Sequence, residues 1–197
     1  MSSRRILPGW IGWWVIVLLA VGPAWAEQRA QPSVSPEAQA ILPLLDAKDA
    51  YIRQKAFLQL EALRDPATAP LVQGHLKSRT SSTRAFSVRA LAAIDGVNAI
   101  PLLLERLQND PSARVRVAAV LALEPLEEPR VLPALIGRLR DRKPEVRMAA
   151  IDAVSRINHP DARAAILFRA KRERNRDVQR VLKDAVQRVT QPPQPQS

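Results

Sequence analysis

An all-α solenoid of stacked helical hairpins is the fold that this 197-residue sequence predicts, on three observations. First, Arg53, Arg84, Arg116 and Arg147 are spaced 31, 32 and 31 residues apart, and a further step of 32 lands on Gln179. Second, Leu45, Leu76, Leu107 and Leu139 step by 31, 31 and 32 in phase with them, with Ala170 next in line. Third, apolar residues inside each period recur at helical spacing, while Asn-Gly turns and sustained β-branched alternation are absent. Two columns locked in phase mark a stack of like supersecondary units.

The elements follow in order. Arg4 and Arg5 form a basic start, Ile11 to Val21 is an apolar run, and Ala24-Trp25-Ala26 is a small-x-small cleavage site. Residues 1–26 therefore read as a signal peptide with cleavage after Ala26. The alternative is a retained anchor, because Gly9 to Ala26 carries no charge. Cleavage would leave no membrane span, remove all four tryptophans and lower the formal charge from +11 to +9. This reading places the mature chain in the periplasm or outside the cell. With no cysteine, its core must hold without disulfides.

Residues 27–36 form a polar leader, and a helix at 37–46 is the first cap of a repeat domain spanning 37–190. Four helical pairs are predicted at 48–77, 81–109, 112–140 and 144–171. The third shows the logic. Asp110-Pro111-Ser112 reads as a helix start, with the acid as N-cap and proline in the first turn. Val115, Ala119, Leu123 and Leu126 make the stripe of its first helix, and Leu132, Leu135, Ile136 and Leu139 that of its second. Matching first-helix stripes are Ile52, Ala56, Leu60 and Leu63, then Val146, Ala150, Val154 and Ile157. Ile100, Leu103, Leu104 and Leu107 form another second-helix stripe. A single pair buries too little to fold alone, so each shares a face with its neighbour. A helix at 176–189 closes the far end, and the Gln/Pro tail 191–197 reads as disordered.

The pattern Asp-Pro-x-x-x-Val-Arg-x-x-Ala-x-x-Ala-Leu, present from Asp110-Pro111 to Ala122-Leu123 and closely echoed from Val146-Arg147 to Ala153-Val154, resembles the short HEAT repeat of the kind seen in phycobilin-lyase-like proteins. The resemblance covers about 150 residues and implies a right-handed, HEAT/armadillo-like superhelix that acts as a protein-binding scaffold. It also leaves open an enzyme, or an enzyme subunit, related to the lyase-like members.

No catalytic, metal or cofactor site is legible. His75 and His159 are the only histidines, and no Cys/His cluster exists to hold zinc. His159-Pro160-Asp161 reads as a turn and helix cap. Neither a nucleophile elbow nor a phosphate-binding glycine loop is present. The invariant Arg53/Arg84/Arg116/Arg147 column reads as a structural ladder of ion pairs and hydrogen bonds.

Candidate binding residues come from the second helices. His75, Arg106, Arg138 and Arg169 occupy one repeat position off the apolar stripe, which predicts a solvent-facing basic column along the concave face. Lys77, Arg140 and Lys171 lie at the same helix ends, and Arg172 belongs to the dense charged run Lys171-Arg172-Glu173-Arg174-Asn175-Arg176. The competing explanation is that cations near helix C-termini favour the macrodipole. Charge is lopsided: residues 138–197 hold fifteen basic and seven acidic side chains, whereas residues 27–76 hold five and six. The partner expected is an acidic protein. An anionic lipid or polymer of the cell envelope is the alternative. Nucleic acid is disfavoured by the export signal and by the lack of aromatic stacking platforms.

Overall fold

The computed structural model describes residues 33–191. The reading of 1–26 as a signal peptide, most of the leader 27–36 and nearly all of the tail 191–197 lie outside the described residues. Polar side chains cap several of the helices. Asp49 Oδ1 accepts the N–H groups of Tyr51 (2.7 Å) and Ile52 (3.4 Å) and starts α2 (Ala50–Leu63). Asn175 does the same for Asp177 and Val178 at the start of α10 (Arg176–Thr190). These side chains satisfy N–H groups that a first helical turn leaves unpaired. Proline enters the first turn of α8 (Pro144–Arg156) and α9 (Pro160–Ala170), where its missing N–H costs nothing.

Between them run α1 (Pro36–Ile41), α3 (Ala69–Gly74), α4 (Ser81–Asp95), α5 (Ile100–Asn109), α6 (Ala113–Leu123) and α7 (Leu132–Arg138). No strand occurs among the described residues. Three of the hairpin turns pass through a residue with positive φ. Arg64 turns left-handed after α2 (φ 52°), and Glu127 does so after α6 (φ 50°). Gly96 follows α4 with φ 54° and ψ −126°, a conformation that a Cβ would strain. Ser81–Asn109 is long and apolar enough to cross a membrane by composition. Gly96 breaks that run into α4 and α5, and both helices bury their apolar faces against neighbouring helices.

Two layers result. The first helices of the pairs, α2, α4, α6, α8 and the closing α10, pack each on the next. Their contact faces carry small side chains, among them Ala85, Ala118, Ala119, Ala122, Ala150 and Ala153, all buried, which let the backbones approach. The second helices, α3, α5, α7 and α9, form the other layer, and α7 touches both α5 and α9. Phe57, Leu60, Leu91, Leu103, Leu107, Leu123, Leu135, Ile151 and Ile166 belong to one continuous core between the layers. The chain is thus an all-α solenoid.

Three local expectations are corrected. Ile52 and Leu63 are exposed (41% and 42%), because α2 has a full repeat on one side only and the short cap buries only Ala38 and Leu45, with Val34, Ile41 and Leu42 partly buried beside them. Asp110 does not cap α6; Ser112 occupies that place, and Asp110 serves the inter-repeat contact described next. The second-helix cations Arg106, Arg138 and Arg169, with His75, do not face solvent: their side chains are only 18–26% exposed.

Candidate functional site

The arginine column forms a ladder along the inter-repeat edge. Arg84 Nη1 donates to the carbonyls of Ser78 (2.9 Å) and Arg79 (3.3 Å), six and five residues back, pinning the loop before its own helix. Its Nε and Nη2 donate in parallel to the two carboxylate oxygens of Asp110 (2.8 and 2.9 Å), in the next loop. Arg116 repeats this with the carbonyls of Asp110 and Pro111 and the carboxylate of Asp141 (2.9 and 2.8 Å). Arg147 uses the carbonyls of Asp141 and Arg142 and the carboxylate of Glu173 (2.9 and 3.2 Å). Each fork therefore joins two consecutive repeats by the bidentate geometry that suits guanidinium and carboxylate.

The acids also hold their own loops. Asp110 accepts the Ser112 N–H, Asp141 the Lys143 N–H, and Glu173 those of Arg174 and Asn175, all at 2.8–2.9 Å. Burial pushes these carboxyls up, but the arginine and backbone hydrogen bonds outweigh it. Asp110 and Asp141 lie below the usual carboxylate value, and Glu173 falls to about 2. The hydrogen bond from Arg84 to Asp110 in turn raises the arginine.

The second-helix cations converge on the same acids. Arg106 stands 3.7 Å from Asp110, Arg138 is 3.7 Å from Asp141, and Arg169 Nε donates to Glu173 at 3.1 Å. Arg106 also pairs with Glu105 and reaches the Leu76 carbonyl, and the Nε of Arg138 is buried without a partner. These three belong to the ladder and not to an open surface. His75 stands apart, edge-on to Phe57 (5.5 Å) and 3.8 Å from Asp46. Arg140, Lys171 and Arg172 remain exposed. The structure gathers two of them at Phe168: the Arg172 guanidinium lies 3.7 Å over the ring and that of Arg140 5.4 Å from it. Phe168 is itself 43% exposed.

Beside this cluster a groove opens between α7 and α9. Pro133, Ile136, Ala164 and Ala165 border both of its compartments and join them. The larger compartment, about 1280 Å³, ends at the hairpin turns among Glu124, Glu127, Glu128, His159 and Asp161. The smaller, about 580 Å³, ends at Arg140, Phe168 and Arg169. An apolar trough thus runs from an acidic end to a basic one. At the acidic end Glu124 is held by Arg156 (2.9 Å), and His159 Nδ1 accepts the Asp161 N–H (3.2 Å) as a helix cap.

The family model for HEAT repeats matches residues 38–124 and again 100–187. The chain belongs to the HEAT-repeat family. No curated protein sequence matches it. Among solved structures it is similar to the complex of CpcE and CpcF of phycocyanin lyase from Nostoc sp. PCC7120, with a TM-score of 0.61 and 24% identity, over 75% of this chain and 96% of that one. An engineered protein follows at 18% identity and a TM-score of 0.49, over 77% of this chain and 78% of that one. At 24% identity the likeness to the lyase complex concerns the fold.

The HEAT register explains what sequence reading misses. Six residues before each column arginine stand Ala47, Ser78, Asp110 and Asp141, and Glu173 stands six before Gln179. This column steps by 31, 32, 31 and 32, so its acids can be aligned with the arginines. The groove has no such signal: Pro133, Ala164 and Ala165 are small residues whose meaning depends on how far α7 and α9 stand apart.

Proposed function

We propose that this chain is an exported, non-catalytic HEAT-repeat scaffold that binds a segment of another protein in the groove between α7 and α9. The observation that carries the reading is the apolar lining of Pro133, Ile136, Ala164 and Ala165 that joins two compartments with oppositely charged ends. Apolar surface supplies affinity, and complementary charge sets orientation and encounter rate. The exposed Arg140, Lys171 and Arg172 favour acidic groups on the partner at the basic end. The structurally similar chain comes from a complex of two proteins, CpcE and CpcF, which accords with protein recognition. Histidine and carboxylate at the acidic end are engaged in capping and ion pairing, which supports a binding role over a catalytic one. A general polyanion binder is less well served, since Glu127, Glu128 and Asp161 would repel a uniformly negative ligand. Export rests on Arg4-Arg5, the apolar run and Ala24-Trp25-Ala26.

A photocrosslinking residue at Ala164, in the producing cells, is expected to give a discrete adduct with one protein. The same residue at Gln187, on α10, is expected to give none. Equal adduct patterns at both positions would refute the groove. N-terminal sequencing of the exported protein is expected to begin at Glu27. Tryptophan fluorescence in that material would instead show a retained leader.

A further inference from the structure

The ladder has five positions, and its two ends are finished differently. At the C-terminal end of the described ladder Gln179 stands in the arginine's place. Its Nε2 still donates to the carbonyl six residues back, that of Glu173 (2.8 Å). The loop contact is kept and the charge is dropped. At the N-terminal end Arg53 keeps both loop contacts, to the carbonyls of Ala47 and Lys48. It also keeps its full guanidinium, although the next loop offers Ser78 where the later rungs have Asp110, Asp141 and Glu173. Ser78 retains only the local half of the acid's task, its hydroxyl accepting the Thr80 N–H (3.3 Å).

The Nε and Nη2 of Arg53, the two donors that grip a carboxylate in each later rung, have no partner among the described residues. Nearby acids are engaged or turned away: Asp49 caps α2, and Asp46 is 85% exposed beside His75. The side chain is half-buried, so its orientation is set by the two carbonyls it already holds. Exposed apolar residues lie close to it in sequence, with Tyr51 at 71%, Ile52 at 41% and Leu44 at 41%.

We propose that this first rung is an open carboxylate receptor, in which the Arg53 fork binds an aspartate or glutamate side chain of a partner protein and so completes the ladder from outside. The choice of a protein carboxylate rests on the reading of the chain as a protein-binding scaffold. The receptor itself rests on the repeat geometry alone. A carboxylate at this place is bound by two parallel N–H···O bonds, as in the three closed rungs. The exposed apolar residues close to Arg53 in sequence supply surface that a partner segment can cover.

The test uses ¹⁵N-labelled protein lacking residues 1–26, with the side-chain Nε–H resonances followed by NMR. Arg84, Arg116 and Arg147 supply the reference for a carboxylate-bound fork. Arg53→Gln, which copies the natural ending at Gln179, assigns the Arg53 signal. Probes are sodium acetate, a capped Gly-Asp-Gly peptide and its Asn counterpart, at constant ionic strength. The Arg53 signal is expected to move toward the reference group with acetate and with the Asp peptide, saturating on the order of millimolar, and to ignore the Asn peptide. In Ser78→Asp it is expected at the reference position without ligand, with no further response. A silent Arg53 signal with both carboxylates, or an undiminished response in Ser78→Asp, overturns the receptor. A response to acetate alone overturns the protein side chain as its source. Groove crosslinking at Ala164 lies on other repeats, so its failure leaves the receptor standing and the reverse holds equally.

Discussion

The two helical layers use the same period to opposite ends. In the first-helix layer small side chains bring the helices together, and at its loop edge Arg84, Arg116 and Arg147 each close on a carboxylate of the next repeat. In the second-helix layer α7 is a short helix begun by Pro133, and small residues face the space toward α9, so a groove remains. From Arg84 onward the first layer is closed within the chain. The other ends in exposed groups: Arg140, Phe168 and Arg172 on one side, Glu127 and Asp161 on the other. The difference teaches that cohesion between repeats does not depend on closing both layers. A solenoid can leave one layer partly open for recognition.

The comparison breaks most severely if the closed layer tolerates insult. Leu123→Asp places a carboxylate where Leu123 is fully buried. Its expected cost exceeds about 4 kcal/mol in urea unfolding, since no cation stands ready for it. Next comes Arg116→Ala. Arg116 and Asp141 are each 4% exposed, and removing the guanidinium leaves Asp141 with the Lys143 N–H and, as cation, only the more distant Arg138. A loss of about 3–5 kcal/mol is expected, because an unpaired buried charge is worse than no pair. A loss under about 1 kcal/mol would mean that the rung only decorates the edge.

Acid sharpens the contrast. Glu173 has its carboxyl lowered from 4.5 to about 2, and Asp110 and Asp141 are lowered too. A depressed carboxyl contributes stability that is complete above its unfolded value and lost as pH falls through the folded one. Unfolding free energy should therefore hold near neutrality and decline from about pH 4.5 toward 2. For Glu173 the decline amounts to roughly 3 kcal/mol. Glu173→Gln should flatten that part of the profile and lower stability at pH 7. A profile unchanged by the substitution would remove Glu173 from the ladder's energetics.

How far the sequence discloses this division depends on what repeats. The Arg column, the Leu column and the apolar stripes recur four times, so the hairpins and the solenoid can be read from them. The exposure of Ile52 and Leu63 cannot, because a stripe says nothing about whether a neighbour exists to cover it. Arg106, Arg138 and Arg169 mislead for a related reason. Standing off the apolar stripe does not imply solvent, since loop acids 26 or so residues beyond the first-helix arginines fold back upon them. The groove occurs once, and a feature that occurs once leaves no period to find.

Arg169 and Arg172 lie three residues apart on one side of α9's end, yet they belong to different regions. Arg169 serves Glu173, and Arg172 covers Phe168. The most direct measurement compares Arg138→Glu/Arg169→Glu with Arg140→Glu/Arg172→Glu, reading urea unfolding and Ala164 crosslinking on each. The first pair should lose more than about 2 kcal/mol by placing like charges beside Asp141 and Glu173. The second should lose no more than about 1 kcal/mol while its crosslinking yield falls roughly fivefold or more. Equal destabilisation by the two pairs, or full crosslinking in the second, would contradict the separation of cohesion from recognition.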